Sequence, residues 1–231
     1  MNNSNFEFPP VESATPEGLL AVGGNLSSKQ LLKAYRRGIF PWYNADQPVL
    51  WWSPDPRLAL FPEDLIISRS LKKILKKEPF RITLDQCFKD VLQGCAAPRQ
   101  TRDEPGTWIT HDMIEAYQRL HELGYAHSVE TWQDDTLVGG LYGVSIGGCF
   151  FGESMFSTVS NASKTAFIHL VQQLQRWGFA LIDCQVTTSH LVSLGAVEIS
   201  RSDFLEKLEL CLEQQDKIGL WQFDNDFVLN L

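Results

Sequence analysis

The stretch AHSVETWQDDTLVGGLYGVSIGGCFFGESMF, residues 126–156, decides how this chain folds. It holds three strand-like runs: AHSVETWQ (126–133), LVGGLYGVSI (137–146) and CFFGESMF (149–156). Asp134-Asp135 separates the first two and Gly147-Gly148 the second two, and both pairs suit tight hairpin turns. The spacing predicts a three-stranded antiparallel meander. Just upstream, HDMIEAYQRLHELG (111–124) reads as a helix with Thr110 as N-cap and Gly124 past its end. Just downstream, NASKTAFIHLVQQLQRWG (161–178) is the longest predicted helix, and FALIDCQV (179–186) follows it as a strand.

Farther out the pattern continues. SRSLKKILKK (68–77) reads as a short basic helix, FRITL (80–84) as a strand, and DQCFKDVLQGC (85–95) as a helix capped by Asp85. SHLVSLG and VEISRSDFLEKLELCLEQ add a short helix, a strand and a last helix, and the final 214–231 is less periodic and is expected to dock on the surface. Before residue 61 the chain is richer in aromatics and prolines. A helix begins at Ser27 or Ser28 and ends at Gly38, and VLWWS and RLALF are short strands around Pro54-Asp55-Pro56. The expectation is an α+β protein: a small N-terminal domain, residues 1–61, followed by a larger domain, 62–231.

The 231 residues are 44% apolar and 21% charged with net charge −8, which is ordinary for a globular chain and argues against a surface coated in positive charge. A local basic patch remains compatible with it. The five cysteines are scattered with no C-x-x-C pair, so neither a disulfide framework nor a zinc site is expected. MNNSNFEFPP has no basic segment followed by an apolar one, and no run of about 18 apolar residues occurs. A cytoplasmic protein with free thiols and no membrane span is expected.

Certain residues break the pattern. Asp183 and Gln185 share one side of the strand FALIDCQV, and Glu153 interrupts the apolar FGESMF. An acid in an apolar run costs free energy unless it is paired or functional, so these three are site candidates, with structural anchoring as the other reading. Arg69, Lys72, Lys73, Lys76, Lys77 and Arg81 crowd into thirteen residues, as a phosphate-contacting patch or as a solvated helix face. Trp42, Tyr43, Trp51 and Trp52 form either a base-stacking wall or an aromatic core. Gln175-Arg176-Trp177-Gly178-Phe179-Ala180 matches the [QR]-x-x-G-x-[GA] pyrophosphate loop of acetyl-CoA enzymes, but at the C-terminal end of its helix, where carbonyls repel phosphate.

The element order resembles the GCN5-related N-acetyltransferase fold. More specifically, GLLAVGGNLS, RRGIFPWY, LWWSPDPR, GTWIT, YGVSIGGCFFGESMFS, NASKTA, LIDCQV and SLGA occur in this order between Gly18 and Phe204. In these blocks the chain resembles the leucyl/phenylalanyl-tRNA–protein transferase family. The resemblance implies a small N-terminal domain and a GCN5-related (GNAT-like) domain that uses aminoacyl-tRNA, not acetyl-CoA, and needs no other cofactor and no metal. It implies transfer of Leu or Phe, and Met less well, from Leu-tRNA or Phe-tRNA to proteins with N-terminal Arg or Lys, marking them for N-end rule degradation. A monomer is the expected state.

The resemblance also assigns roles. Asp183 orients and polarises Gln185, which receives the amine through its side-chain oxygen, and Glu153 serves as counter-charge or second partner of the amine. Leu141, Phe150, Phe167, Leu174 and Ile182 wall an aminoacyl pocket. Trp42 and Trp108 hold the terminal adenosine with Tyr35 nearby, and the basic patch takes tRNA phosphates. By strand alternation Ile182 points away from Asp183 and Gln185, so it lines a shared pocket only if the strand end twists or bulges. The segment APRQTRDEPG (97–106) is longer than in some relatives, and 214–231 matches no assigned motif. Two other readings are a peptidoglycan-precursor aminoacyltransferase, which lacks the PWY…LWWSPDPR block, and a noncatalytic RNA-binding module.

Overall fold

The computed structural model describes residues 6–97 and 109–231. Its N-terminal part is built on β1 (Leu19–Val22), α1 (Ser28–Tyr35), β2 (Phe40–Pro41) and β3 (Leu50–Trp52), with the strands forming an antiparallel sheet in the order β1-β3-β2. Helix α1 starts where Ser27 Oγ accepts the Gln30 N–H, and it turns Leu31, Ala34 and Tyr35 into the core.

The rest follows in the order β4 (Arg57–Leu60), α2 (Arg69–Leu75), β5 (Arg81–Leu84), α3 (Phe88–Ala96), α4 (His111–Glu122), β6 (Ala126–Gln133), β7 (Thr136–Ile146), β8 (Cys149–Ser157), α5 (Ala162–Arg176), β9 (Leu181–Gln185), α6 (Ser189–Val192), β10 (Val197–Ile199) and α7 (Arg201–Leu212). The seven strands β10-β4-β9-β8-β7-β6-β5 form one sheet. The expected meander is β6-β7-β8, turning at Asp134-Asp135 and Gly147-Gly148. Every pairing in this sheet is antiparallel except β8 with β9, and α5 supplies the long crossover that a parallel pair requires. This helix–meander–helix–strand order is the α+β arrangement expected for a GNAT-like domain.

Three details differ from the sequence reading. RLALF, grouped by sequence with the N-terminal part, forms β4 inside the seven-stranded sheet, where Ala59 and Leu60 pair with Asp183 and Ile182. Asp85 does not cap α3, whose N-cap is Cys87 without a side-chain bond. The Asp85 carboxylate instead accepts from the Ser128 and Trp221 N–H groups at 2.8 and 2.7 Å and pairs with His127 Nδ1 at 2.8 Å, which directs it away from the end of α3. The basic helix is shorter than SRSLKKILKK, because Lys76 is already its C-cap and Glu78 turns the chain at φ 45°.

The sheet divides the core in two. Ala59, Tyr142, Val144, Phe151 and Leu181 face α1, α3, α4 and α7, while Leu58, Leu60, Leu141, Phe150, Ile182 and Cys184 face α5. Residues 213–231 carry no helix or strand yet dock as expected. Trp221 is buried with its ring stacked 3.6 Å from that of His127, and the Asp224 side chain binds Gln173, Trp177 and Arg176 of the α5 region.

Candidate active site

Strands β8 and β9 are hydrogen-bonded neighbours only from Cys149↔Leu181 to Phe151↔Asp183. Beyond that pair β8 runs on to Ser157 while β9 stops at Gln185, so the two part and the sheet opens. Irregular pairing accompanies the opening. The β7–β8 register skips Glu153 and the β4–β9 register skips Cys184. Such bulges re-aim side chains at the rim of a sheet. Gln185 itself lies at φ 62°, and the Val186 N–H reaches back to the Cys184 carbonyl at 2.8 Å, closing a three-residue turn around it. A left-handed conformation costs a glutamine about 1–3 kcal/mol and persists only where the surroundings hold it.

The side chains at this opening form one network. Arg57 grips Asp183 with two parallel bonds, Nε to Oδ1 at 2.8 Å and Nη2 to Oδ2 at 2.6 Å, and the two are 1% and 0% exposed. The rings of Phe40 and Phe204 lie 4.7 and 4.6 Å from the guanidinium carbon, which supports a cation that water does not reach. Asp183 Oδ1 also accepts the Gln185 main-chain N–H at 2.9 Å. The Gln185 side chain donates from Nε2 to Glu153 Oε1 at 2.9 Å. Tyr35 donates to Glu153 Oε1 at 2.7 Å and Tyr117 to Oε2 at 2.6 Å.

Burial pushes the Glu153 carboxyl up to about 7, with the hydrogen bonds from Tyr117, Tyr35 and Gln185 acting against it and the Asp183 charge adding to it. Burial likewise drives the Tyr35 and Tyr117 phenols well above their ordinary range, so both stay protonated donors. A carboxyl that changes charge near neutrality, beside a fixed amide, can neutralise a cationic amine or take its proton.

The structure thus brings Asp183, Gln185 and Glu153 together. The contact from Asp183 goes to the main chain of Gln185, whereas the Gln185 side chain is held by Glu153. Leu141, Phe150, Phe167, Leu174 and Ile182 are also brought together, in one tightly buried cluster of which Phe167, at 4%, is the most exposed. That cluster lies on the α5 face, opposite Asp183, because the bulge at Cys184 comes after Ile182 and does not turn it over.

Tyr35 corrects an expectation. It is fully buried with its hydroxyl on Glu153, and no face of its ring is open for a nucleobase. Trp42 is 42% exposed beside Trp52. Trp108 lies outside the described residues. Arg69, Lys73, Lys76, Lys77 and Arg81 are exposed and Lys72 half-buried, and none of the six joins an ion pair among the described residues. Arg81 lies over the Trp132 ring. Two adjoining cavities of about 470 and 530 Å³ lie elsewhere, at Gly24, Tyr43, Val49 and Asp112.

Sequence reasoning missed Arg57 and Tyr117. The signal for Arg57 was present, since a charge opening the apolar run RLALF is the same anomaly as Asp183. Tyr117 carries no such signal, being one apolar position among several on α4. Among the described residues no group of three His, Cys, Asp or Glu is placed to hold a metal ion, and no helix is long and apolar enough to cross a membrane.

A family model described as leucyl/phenylalanyl-tRNA protein transferase matches residues 59–209, and the model of that family's N-terminal domain matches residues 24–55. The chain is 57% identical over 228 residues to the leucyl/phenylalanyl-tRNA–protein transferase of Nitrosospira multiformis, covering 98% of this chain and 97% of the relative. It is 58% identical over 211 residues to the protein of that name from Cellvibrio japonicus, covering 90% of this chain and 89% of the relative. Among solved structures, a GCN5-related N-acetyltransferase from Kribbella flavida aligns with TM-score 0.37 at 11% identity over 71% of this chain and 57% of its own.

Proposed function

The chain belongs to the leucyl/phenylalanyl-tRNA–protein transferase family, a family of aminoacyltransferases, and on that premise we propose that it moves Leu or Phe, and Met less well, from aminoacyl-tRNA to the α-amino group of proteins beginning with Arg or Lys. The product gains a bulky apolar N-terminus that marks it for N-end rule degradation in the cytoplasm. The observation that carries this reading is the Gln185–Glu153 contact at the opening between β8 and β9.

The donor is an ester and already activated, so the reading calls for no covalent enzyme intermediate and no cofactor. The acceptor amine has a reference pKa of about 8 and must lose a proton before it attacks. With its nitrogen given to Glu153, the Gln185 amide offers its oxygen to an amine N–H, and Glu153 balances the cationic amine. A carboxyl poised at about 7 is well matched to receive the proton. The amine nitrogen bonds to the ester carbon, the bond to the terminal ribose oxygen breaks, and that oxygen takes up the second proton shed by the nitrogen, so that it leaves as a neutral hydroxyl. Holding amine and ester together supplies much of the remaining acceleration.

The acyl side chain would pass between the parted strands to the apolar cluster of Leu141, Phe150, Phe167, Leu174 and Ile182, which a β-unbranched side chain suits. Trp42 is available to stack on the terminal adenosine. The cations from Arg69 to Arg81, unpaired among the described residues, would take acceptor-stem phosphates without reading bases, as an enzyme that accepts several tRNAs requires.

The deciding experiment offers Phe-tRNA with a peptide beginning with Arg and the same peptide beginning with Ala. Transfer to the first alone is expected, and equal transfer to both, or none, defeats the reading. Changing Lys72, Lys73, Lys76 and Lys77 together to alanine should weaken tRNA binding and flatten its salt dependence by about 0.7–0.9 log units per lost phosphate contact. An unchanged slope removes the patch from the tRNA interface.

A further inference from the structure

We propose that Arg57 and Asp183 are positioning residues that act on the main chain of Gln185, holding it in its left-handed turn so that its side-chain amide is delivered to Glu153. The inference rests on reading this cluster as the acyl-transfer site, and it identifies what sets that site's geometry.

Extended backbone is the low-energy state of a glutamine at the end of a strand, so the turn at φ 62° needs a holder. Asp183 Oδ1 provides one by accepting the Gln185 N–H at 2.9 Å. That N–H points out of the sheet ladder because the register skips Cys184, leaving Leu58 opposite Gln185 and Ala59 opposite Asp183. A carboxylate on a strand could rotate away from this task. Arg57 prevents that by occupying both oxygens, at 2.8 and 2.6 Å, and Asp183 is the guanidinium's only hydrogen-bond acceptor among the described residues. Its Nη1 is buried with no hydrogen-bond partner among the described residues, and the Phe40 and Phe204 rings lie 4.7 and 4.6 Å from the guanidinium carbon. The fork therefore has one orientation, and lysine, a point charge without a fork, could not reproduce it. No contact from Asp183 reaches the Gln185 side chain, which meets Glu153 instead. Arg57 and Asp183 thus act through the backbone and need not touch substrate.

The test compares two double variants of the full chain: Arg57→Met with Asp183→Asn, and Arg57→Met with Asp183→Leu. Both remove the ion pair as a unit, which avoids leaving one buried charge stranded. They differ in whether residue 183 carries an oxygen that can accept the Gln185 N–H. Turnover of the asparagine pair, which keeps an acceptor for the Gln185 N–H but loses the fork that fixes it, is expected about tenfold below that of the unsubstituted protein, and that of the leucine pair about 100-fold below it, the scale on which small misplacements of reacting groups act. KM for the aminoacyl donor should stay within about threefold in both. Equal turnover in the two pairs would overturn the proposal. In a further variant Gln185 is introduced as its α-hydroxy acid, so that an ester oxygen replaces the N–H and every side chain remains. The same loss of turnover is expected, and full turnover there overturns the proposal even if the double variants do not fold.

One readout is independent of the acyl group transferred. Since the Gln185 bond lowers the Glu153 pKa, its loss should raise the Glu153 titration in the leucine pair above that in the asparagine pair, and in the ester variant above that in the unsubstituted protein, by NMR of the carboxyl carbon. If that titration moves as stated but the unsubstituted protein transfers nothing, the functional reading falls and the positioning stands. If transfer occurs and the titration does not move, the positioning falls.

Discussion

On one face of β9 lie Asp183 and Gln185, and on the other lie Ile182 and Cys184. The first face is held by discrete bonds. Arg57, Asp183, Gln185, Glu153, Tyr35 and Tyr117 form a single chain of donors and acceptors in which each member has named partners. The second face is held collectively, by the mutual burial of Leu141, Phe150 and Ile182 of the sheet with Phe167 and Leu174 of α5. Removing one member of a discrete network strands its partner, whereas an apolar cluster yields in proportion to the volume lost or misplaced. On the function proposed above, a site that orients an amine and accepts more than one apolar side chain would be well served by this division.

The largest effect should come from the polar face. Arg57→Ala leaves the Asp183 carboxylate buried without its partner and is expected to destabilise the protein by about 3–5 kcal/mol in urea unfolding. A loss below about 1 kcal/mol would mean that the pair is not the anchor described here.

The next prediction concerns pH. The Glu153 carboxyl titrates at about 7 when folded, against about 4.3 in an unfolded chain. The unfolded state therefore binds fewer protons between these values, so stability falls as pH rises from about 4.3 to about 7 and is flat beyond, by on the order of 3 kcal/mol from this group. Glu153→Gln should abolish that slope in urea unfolding followed across pH, and should remove any inflection near pH 7 from the rate profile. A variant with the slope of the unsubstituted protein would place the titration elsewhere.

On the apolar face the response should be graded. Leu141→Met conserves volume and is expected to cost less than about 1.5 kcal/mol. It should shift the ratio of Leu to Phe transfer by less than about tenfold, measured with both charged tRNAs in competition. A collapse of all transfer would show that the two faces are not separable. The smallest effect is expected farthest from both. Lys73→Ala should leave the Tm unchanged while weakening tRNA binding slightly, and a clear Tm shift would give this lysine a structural role.

The local order of the molecule was legible in the sequence because it depends on neighbours along the chain. The hairpins at Asp134-Asp135 and Gly147-Gly148, the caps at Ser27 and Thr110 and the closing Gly124 and Gly178 all follow from what those residues permit at a turn or helix end. Asp183, Gln185 and Glu153 stood out because polar groups interrupt apolar runs. The same rule, applied to Arg57, would have completed the ion pair. Asp85 shows the limit of local reasoning, since its carboxylate is claimed by His127, Ser128 and Trp221, far away in sequence or in a neighbouring strand.

By itself the sequence determined the α+β class, the element order, the family and the three polar residues of the opening, since all of these rest on periodicity, turn chemistry and motifs carried by contiguous residues. Only the tertiary structure decided that β4 joins the large sheet, that Tyr35 and Tyr117 close over Glu153, and that Asp183 reaches the backbone rather than the side chain of Gln185. It also decided that Ile182 faces away from that chemistry. Those facts depend on strand register, on a bulge at one residue and on which buried groups find partners, and these are set by long-range packing rather than by any stretch of chain.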